Sequence, residues 1–319
     1  MQHKNLNIIL GPPGTGKTTR LLNLVEHHLN EGVRPEHIGY LAFTRKAADE
    51  AAERAFVKFN YTKEDLPYFR TIHSLCFQQL NLKRSDVMTK THYQELGDML
   101  GLEVDGGVDM GEGQVFGMRT GDKLFFLENL SRVKQKELKD VYNEYNDDDI
   151  NWFELERLSR ALVAYKDKRK IIDYTDMLMK CLKIATFPKL RILFVDEAQD
   201  LSAIQWNVIN EIGKQTEVMY VAGDDDQAIY RWAGADVNQF IKLEGNSTVL
   251  NKSYRVPSSI WDLATKLSLR IESRIKKEFK ATEEKGEVRW YMDPEDVDIS
   301  QGDWYLLARN GYMLNQLES

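Results

Sequence analysis

The chain has 319 residues, 42% of them hydrophobic and 29% charged, with a formal net charge of −7. Those values suit a globular protein with room for two or three domains, and they exclude one that coats nucleic acid by bulk positive charge. No apolar run nears the roughly 18–20 residues of a membrane span, and the polar N-terminus has no signal-peptide core.

The two cysteines, Cys76 and Cys181, sit in apolar sequence without metal-ligand spacing. They read as small buried residues of a reducing compartment, which predicts a cytoplasmic protein with no membrane partner. A narrow groove lined by a few basic and aromatic residues stays compatible with the acidic balance.

Asn7–Leu10 is a short apolar run that ends in Gly11-Pro-Pro-Gly-Thr-Gly-Lys-Thr and leads into helical sequence to about Leu29. Leu21, Leu22, Val25 and Leu29 share one helical face, and Gly32 then Pro35 end the element. Ile38–Phe43 predicts the next buried strand. Thr44 can cap a helix whose Ala47, Ala48, Ala51, Ala52 and Ala55 form a small-residue packing face.

Residues 77–172 are helix-rich and polar, with a Gly-rich interruption at 106–121 and an acidic run at Asp147–Asp149. Ile150, Phe153, Leu158 and Leu162 suggest an amphipathic helix there. Asp173 is the predicted N-cap of the helix that restarts after this stretch. Arg191–Val195, Val218–Ala222 and Thr248–Leu250 are further strand candidates separated by helical sequence, which implies a parallel α/β sheet. Beyond about Leu250, a helix at Ser258–Lys276 and strands at Glu287–Tyr291 and Trp304–Ala308 predict a second, partial α/β unit. The expected division is a first α/β domain from 1–76 and 173–249, an inserted helical domain at 77–172, and the partial unit at 250–319.

Gly11-x4-Gly16-Lys17-Thr18 matches the phosphate-binding loop in sequence and in its strand-to-helix setting. Gly11, Gly14, Thr15 and Gly16 let backbone N–H groups close around phosphates, Lys17 offsets β/γ charge, and the Thr18 hydroxyl can ligate Mg²⁺. Asp196, at the end of Ile192-Leu-Phe-Val-Asp-Glu, can hold Mg²⁺ through water, and Glu197 beside it is placed to deprotonate an attacking water. After the next strand come Gly223, three carboxylates (Asp224, Asp225 and Asp226) and Gln227. Acids and an amide at a strand end suit a phosphate–metal site, with Gln227 as a sensor of the γ-phosphate. Tyr230 and Trp232 suit base stacking. Arg255 is a candidate for stabilising the transferring phosphoryl group, and Tyr254 for stacking on adenine.

The ordered series Gly11–Thr18, Leu41-Ala-Phe-Thr-Arg-Lys-Ala-Ala, Arg70-Thr-Ile-His-Ser-Leu, Asp173-Tyr-Thr-Asp-Met-Leu, Val195-Asp-Glu-Ala-Gln-Asp, Gly223-Asp-Asp-Asp-Gln-Ala-Ile-Tyr and Asn251-Lys-Ser-Tyr-Arg resembles superfamily 1 DNA helicases of the UvrD/Rep type. Tyr305-Leu-Leu-Ala-Arg-Asn is similar to the family's next strand. The resemblance implies a RecA-like P-loop fold, ATP and Mg²⁺, and single-stranded DNA or a single-strand/duplex junction as partner, with 3′→5′ movement driven by hydrolysis.

It also implies that Phe43, Thr44, Thr71 and His73 line the single-strand groove with Tyr230 and Trp232, and that Gln199 joins the metal-binding strand to the γ-phosphate site. Taken alone, His73 and Trp232 would read as core residues.

The chain departs from the family pattern in three ways. Thr19 stands where the family usually has arginine, with Arg20 following. Gln2 lies nearer the loop than the family's adenine-reading glutamine. The last two motifs and the large insertion of the second motor domain do not occur before Ser319, so the chain alone is expected to bind ATP while hydrolysing and unwinding weakly. Two alternatives are a helicase-derived nucleotide switch that binds DNA without moving, and a small-molecule kinase. The complete set Lys17, Asp196, Glu197 and Gln227 weighs against the first, and Tyr230, Trp232 and the Thr-x-His motif against the second. The motor reading requires Gln227 beside Lys17 and Asp196, and Tyr230 and Trp232 at an open channel.

Overall fold

Strand β1 (Leu6–Leu10) runs into the glycine-rich loop and helix α1 (Lys17–Asn30), and β2 (Ile38–Ala42) into α2 (Arg45–Phe59). A short β3 (Phe69–Thr71) leads to α3 (Ile72–Gln79). The helical stretch follows: α4 (Lys90–Leu100), a two-stranded ladder of β4 (Val108–Asp109) and β5 (Gln114–Val115), then α5 (Thr120–Lys134), α6 (Leu138–Tyr145) and α7 (Trp152–Arg169). The α/β pattern resumes with α8 (Tyr174–Ile184), β6 (Ile192–Asp196), α9 (Ala203–Gly213), β7 (Val218–Gly223), α10 (Val237–Ile241), β8 (Asn246–Val249) and α11 (Ser258–Ser268). This computed structural model describes residues 5–106, 108–109, 114–115, 119–145, 147–184, 186–308 and 313–314. Gln2, part of the Gly-rich stretch and the Arg309-Asn310 pair lie outside the described residues.

Six strands form one sheet in the order β3-β2-β6-β7-β1-β8, and every pairing in it is parallel. Register places Leu10 opposite Gly223, and Ala42 opposite both Asp196 and Thr71. The carboxyl ends of β1, β2, β3, β6 and β7 therefore converge at one edge, where open α/β sheets place their ligands. Register also stacks Phe69, Tyr40, Phe194 and Tyr220 on one face as a ladder, with ring centroids 5.2, 6.2 and 4.9 Å apart. Each such cross-strand pair contributes roughly 0.2–1 kcal/mol.

Helices α1 and α2 cover the ladder face, α2 through the buried Ala48, Ala51, Ala52 and Ala55. The opposite face packs on α3, α8, α9 and α10 around Trp206, Leu178 and Phe240. A third core, with Tyr93, Phe125, Leu155 and Leu158, belongs wholly to residues 88–171. Entry to and exit from that unit are pinned together: Met88 N–H donates to the Ile172 carbonyl and Ile172 N–H to the Asp86 carbonyl, both at 2.8 Å.

Three local expectations change. The last sheet strand is Asn246–Val249, because its partner residues Asn7–Leu10 set the register two positions earlier than apolarity suggested. The helix expected at Ser258–Lys276 stops at Ser268. Beyond it the backbone turns and then continues without helix, where Lys280 pairs with the 251–253 stretch while Arg274 and Lys277 reach the acids after β7. Residues 287–291 and 304–308 form no strand. Alternating apolar sequence makes a strand only where a neighbour accepts its hydrogen bonds, and none of the described residues pairs with them.

Candidate functional site

The glycine-rich loop turns on Gly14 and Gly16, whose φ values of 75° and 82° are left-handed and cheap only for glycine. At Gly14 an added Cβ would collide with the Cβ of Arg255, so the loop lies directly against the chain beyond β8. Thr15 Oγ1 donates to the Pro12 carbonyl at 2.9 Å, and the buried Lys17 Nζ donates to the Gly11 carbonyl at 3.0 Å. Helix α1 starts at Lys17 with no acid in its first turn, which leaves its positive end available to an anion. Pro12, Gly14, Thr15, Gly16 and Lys17 line a cavity of about 520 Å³ together with Thr18, Thr19, Asp196, Glu197, Gln227, Tyr254 and Arg255, while Gly11 does not line it. Gln227 thus shares a cavity with Lys17 and Asp196. Arg20 is exposed and does not line it.

Asp196 is almost wholly buried, and its Oδ2 accepts from Tyr40 OH at 2.6 Å and from Thr18 Oγ1 at 3.1 Å. Burial, then the adjacent Glu197 charge, raises its carboxyl above the usual range, while the Tyr40 hydroxyl and Lys17 oppose that rise. A carboxylate so destabilised gains from a cation. The hydroxyl and carboxylate oxygens of Thr18 and Asp196 are the hard donors Mg²⁺ takes, so this pair fits that ion. Glu197 adopts a left-handed φ of 51°, its N–H donating to Asp196 Oδ1 at 3.0 Å.

Gln199 is buried behind the cavity and does not line it. Its Nε2 donates to Glu197 Oε2 at 2.9 Å, and its Oε1 accepts from the Asp224 N–H at 3.0 Å. A Cβ at Gly223 would come within 2.6 Å of that Oε1, so the glycine makes room for the bridge. Asp224 Oδ2 then accepts from Gln227 Nε2 at 2.6 Å. A hydrogen-bonded relay thus runs Glu197–Gln199–Asp224–Gln227.

The three acids read from sequence as a phosphate–metal site are engaged otherwise. Lys277 Nζ reaches Asp224 at 2.6 Å, contacts Asp225, and lies 3.5 Å from Asp226, which Arg274 grips with two hydrogen bonds. Sequence could not foresee this, because the cations lie about fifty residues away, Arg274 within the stretch that read as helix and Lys277 one residue past it. Glu50 and Arg54 of α2 also line the cavity and carry no sequence motif.

The loop after β7 continues to a second region. Phe43 is buried against Tyr230, centroids 5.4 Å apart, and His73 meets Tyr174 edge-on at 5.8 Å. Trp232 is 54% exposed and stacks at 6.2 Å on Phe126 of the helical unit. All six rings line a small apolar cleft of about 70 Å³. Through His73 and Tyr174 it adjoins a cavity of about 610 Å³ bordered by Arg45, Thr71, Ser74 and Arg84.

Thr44 and Thr71 use their hydroxyls as N-caps of α2 and α3, accepting from Ala47 N–H at 3.0 Å and Ser74 N–H at 3.1 Å. Thr44 lines neither hollow. Phe126 escapes sequence reasoning because α5 carries no motif and Trp232, its partner across the cleft, is distant in the chain; Tyr174 stands in the Asp173-Tyr-Thr-Asp-Met-Leu series, but only packing shows that it meets His73.

A parallel sheet with a phosphate-binding loop, a buried metal-suited carboxylate and an inserted helical unit defines a RecA-like P-loop nucleotide-binding protein. The chain belongs to the UvrD/Rep helicases: the model of the UvrD/REP helicase N-terminal domain matches residues 1–248. It is similar to a probable DNA helicase II homolog of Mycoplasma genitalium, 26% identical over 310 residues that cover 86% of this chain and 42% of that protein. It is also similar to the ATP-dependent DNA helicase PcrA of Bacillus subtilis, 25% identical over 80% of this chain and 39% of the relative. PcrA of Staphylococcus aureus is 23% identical over 82% and 37%. The chain thus spans about two fifths of the length of these relatives. No helix among the described residues is long and apolar enough to cross a membrane.

Proposed function

We propose that this chain is the ATP-hydrolysing, single-strand-binding part of a DNA helicase that moves 3′→5′. Residues 1–76 and 173–249 act as the first motor domain, 77–172 as its inserted helical domain, and 250–319 as part of the second. ATP lies on the loop Gly11–Thr18 with Thr19 alongside. Lys17 exchanges its Gly11 carbonyl for β/γ-phosphate oxygens, and Thr18 and Asp196 would hold Mg²⁺, which supplies charge neutralisation at the phosphates. Glu197 deprotonates the attacking water, Gln227 orients it against the γ-phosphate, and Arg255 balances charge on the transferring group. Tyr254, exposed at the cavity rim, stacks on the base.

Unpaired DNA runs along the cleft beside Phe43, Thr44, Thr71, His73, Tyr230 and Trp232, at a single-strand/duplex junction. The relay from Glu197 through Gln199 and Asp224 to Gln227 carries this reading, because it ties the hydrolytic carboxylate to the loop that bears Tyr230 and Trp232.

The test is ATP turnover with and without single-stranded DNA. Stimulation by DNA that Lys17→Ala abolishes supports the motor. Binding without turnover would instead support a nucleotide switch, and turnover indifferent to DNA a small-molecule enzyme.

A further inference from the structure

Lys277 has no exposed side-chain surface and sits among three acids, two of them as deeply buried as itself. Burial works against its charge, but Asp224 and Asp225 outweigh that and hold the ammonium above its ordinary range. Asp224 carries this cation on Oδ1 and the Gln227 amide on Oδ2, each at 2.6 Å, while its N–H is fixed by Gln199. Asp225 is locked as well, its Oδ2 accepting from the Ile275 N–H at 2.7 Å.

The same segment reaches the other side of the cavity. Lys280 N–H donates to the Asn251 carbonyl at 2.7 Å and its carbonyl accepts from Ser253 N–H at 2.9 Å. Ser253 Oγ in turn donates to the Pro13 carbonyl, and Tyr254 N–H to the Gly14 carbonyl, both at 2.9 Å. One stretch beyond β8 therefore grips both the sensor loop and the phosphate loop.

We infer that Lys277 is a positioning residue for hydrolysis. It fixes Asp224 so that the Gln227 amide faces the cavity, and it makes that placement depend on the segment following α11. The inference rests on the ATPase reading above. Without the ammonium, Asp224 and Asp225 form a buried, uncompensated pair that must shift or take up a proton, and Gln227 loses its fixed acceptor.

The experiment measures ATP turnover, KM, ADP affinity and thermal midpoint for Lys277→Met, Lys277→Arg, Gln227→Ala and the Lys277→Met/Gln227→Ala double variant. Lys277→Met is expected to lower kcat roughly tenfold to hundredfold, as misplacement of a catalytic group does. ADP affinity should stay within about twofold, and Lys277→Arg should recover part of the rate. The double variant should be no slower than Gln227→Ala alone, since both act through one amide.

A wild-type kcat in folded Lys277→Met, or losses that multiply in the double variant, overturns the inference while leaving the ATPase reading intact. Wild-type protein without ATP turnover overturns both. Should Lys277→Met fail to fold, Lys277→Met/Asp225→Asn, which removes the ammonium together with one of the acids it balances, must still lower kcat without changing ADP affinity. Unaltered turnover in that variant also overturns the inference.

Discussion

Replacing Arg132 with methionine would remove the central cation of the joint between the helical unit and the sheet domain. Its guanidinium bonds Asp173 through two nitrogens at 2.9 and 2.8 Å, Glu128 at 2.7 Å and Asp176 at 3.2 Å. Lys166 also answers Asp173 and Asp176, at 2.7 and 2.6 Å, but Glu128 loses the group that bonds it. Breaking a buried pair from one side costs about 3–5 kcal/mol. With an unfolding entropy of about 2.1 cal/mol/K per residue, a 4 kcal/mol loss lowers the midpoint of 319 residues by roughly 6 °C.

Burial already holds the Glu128 carboxyl above its ordinary range, so it can take up a proton, which keeps the cost near the lower end. The sign with pH follows from Asp173. Burial pushes its carboxyl up, but Arg132 and Lys166 outweigh that and hold it well below the usual carboxylate range. A depressed carboxylate gives stability that is present above its unfolded pKa, near 3.9, and lost as pH falls through its folded value. The gap between wild type and Arg132→Met should therefore narrow below about pH 4.

Urea and thermal unfolding of Arg132→Met, beside the exposed-pair control Arg160→Met, measure this. The control should lose under about 0.5 kcal/mol. A loss below about 1 kcal/mol for Arg132→Met, or one that pH leaves unchanged, would refute the reasoning.

Asp196→Asn should abolish Mg²⁺-dependent turnover yet raise stability by about 1 kcal/mol at pH 8, since a raised carboxyl loses folded-state stability as pH climbs past its unfolded pKa. Calorimetry should find that gain shrinking toward pH 4. Tyr40→Phe removes the 2.6 Å donor that favours the ionised form of Asp196, so the acid limb of the pH–rate profile should move to higher pH. Trp232→Ala and Phe126→Ala should each weaken single-stranded DNA binding by about 1–3 kcal/mol, read by fluorescence anisotropy, with ADP affinity intact. Gly14→Ala forces a Cβ into Arg255 at a left-handed φ and should weaken ADP binding in a calorimetric titration.

Much of the site was legible because its signals are local. The loop Gly11–Thr18 needs left-handed glycines and a strand-to-helix step, both written in eight consecutive residues. Thr44 caps α2 and the alanines face the sheet for reasons of side-chain size and spacing alone. Asp196 and Gln227 end up beside Lys17 because they lie at or just past the ends of β6 and β7, and a parallel sheet brings such ends together.

What the sequence could not disclose depends on distant partners. The acids after β7 look like metal ligands until Arg274, from the end of a stretch that read as helix, and Lys277, just past it, are brought against them by tertiary pairing. Phe126 joins the aromatic cleft, and Glu50 and Arg54 the cavity, only through the packing of whole helices. Periodicity and turn chemistry act within a few residues, whereas ion pairing and strand pairing are decided by what folding places opposite.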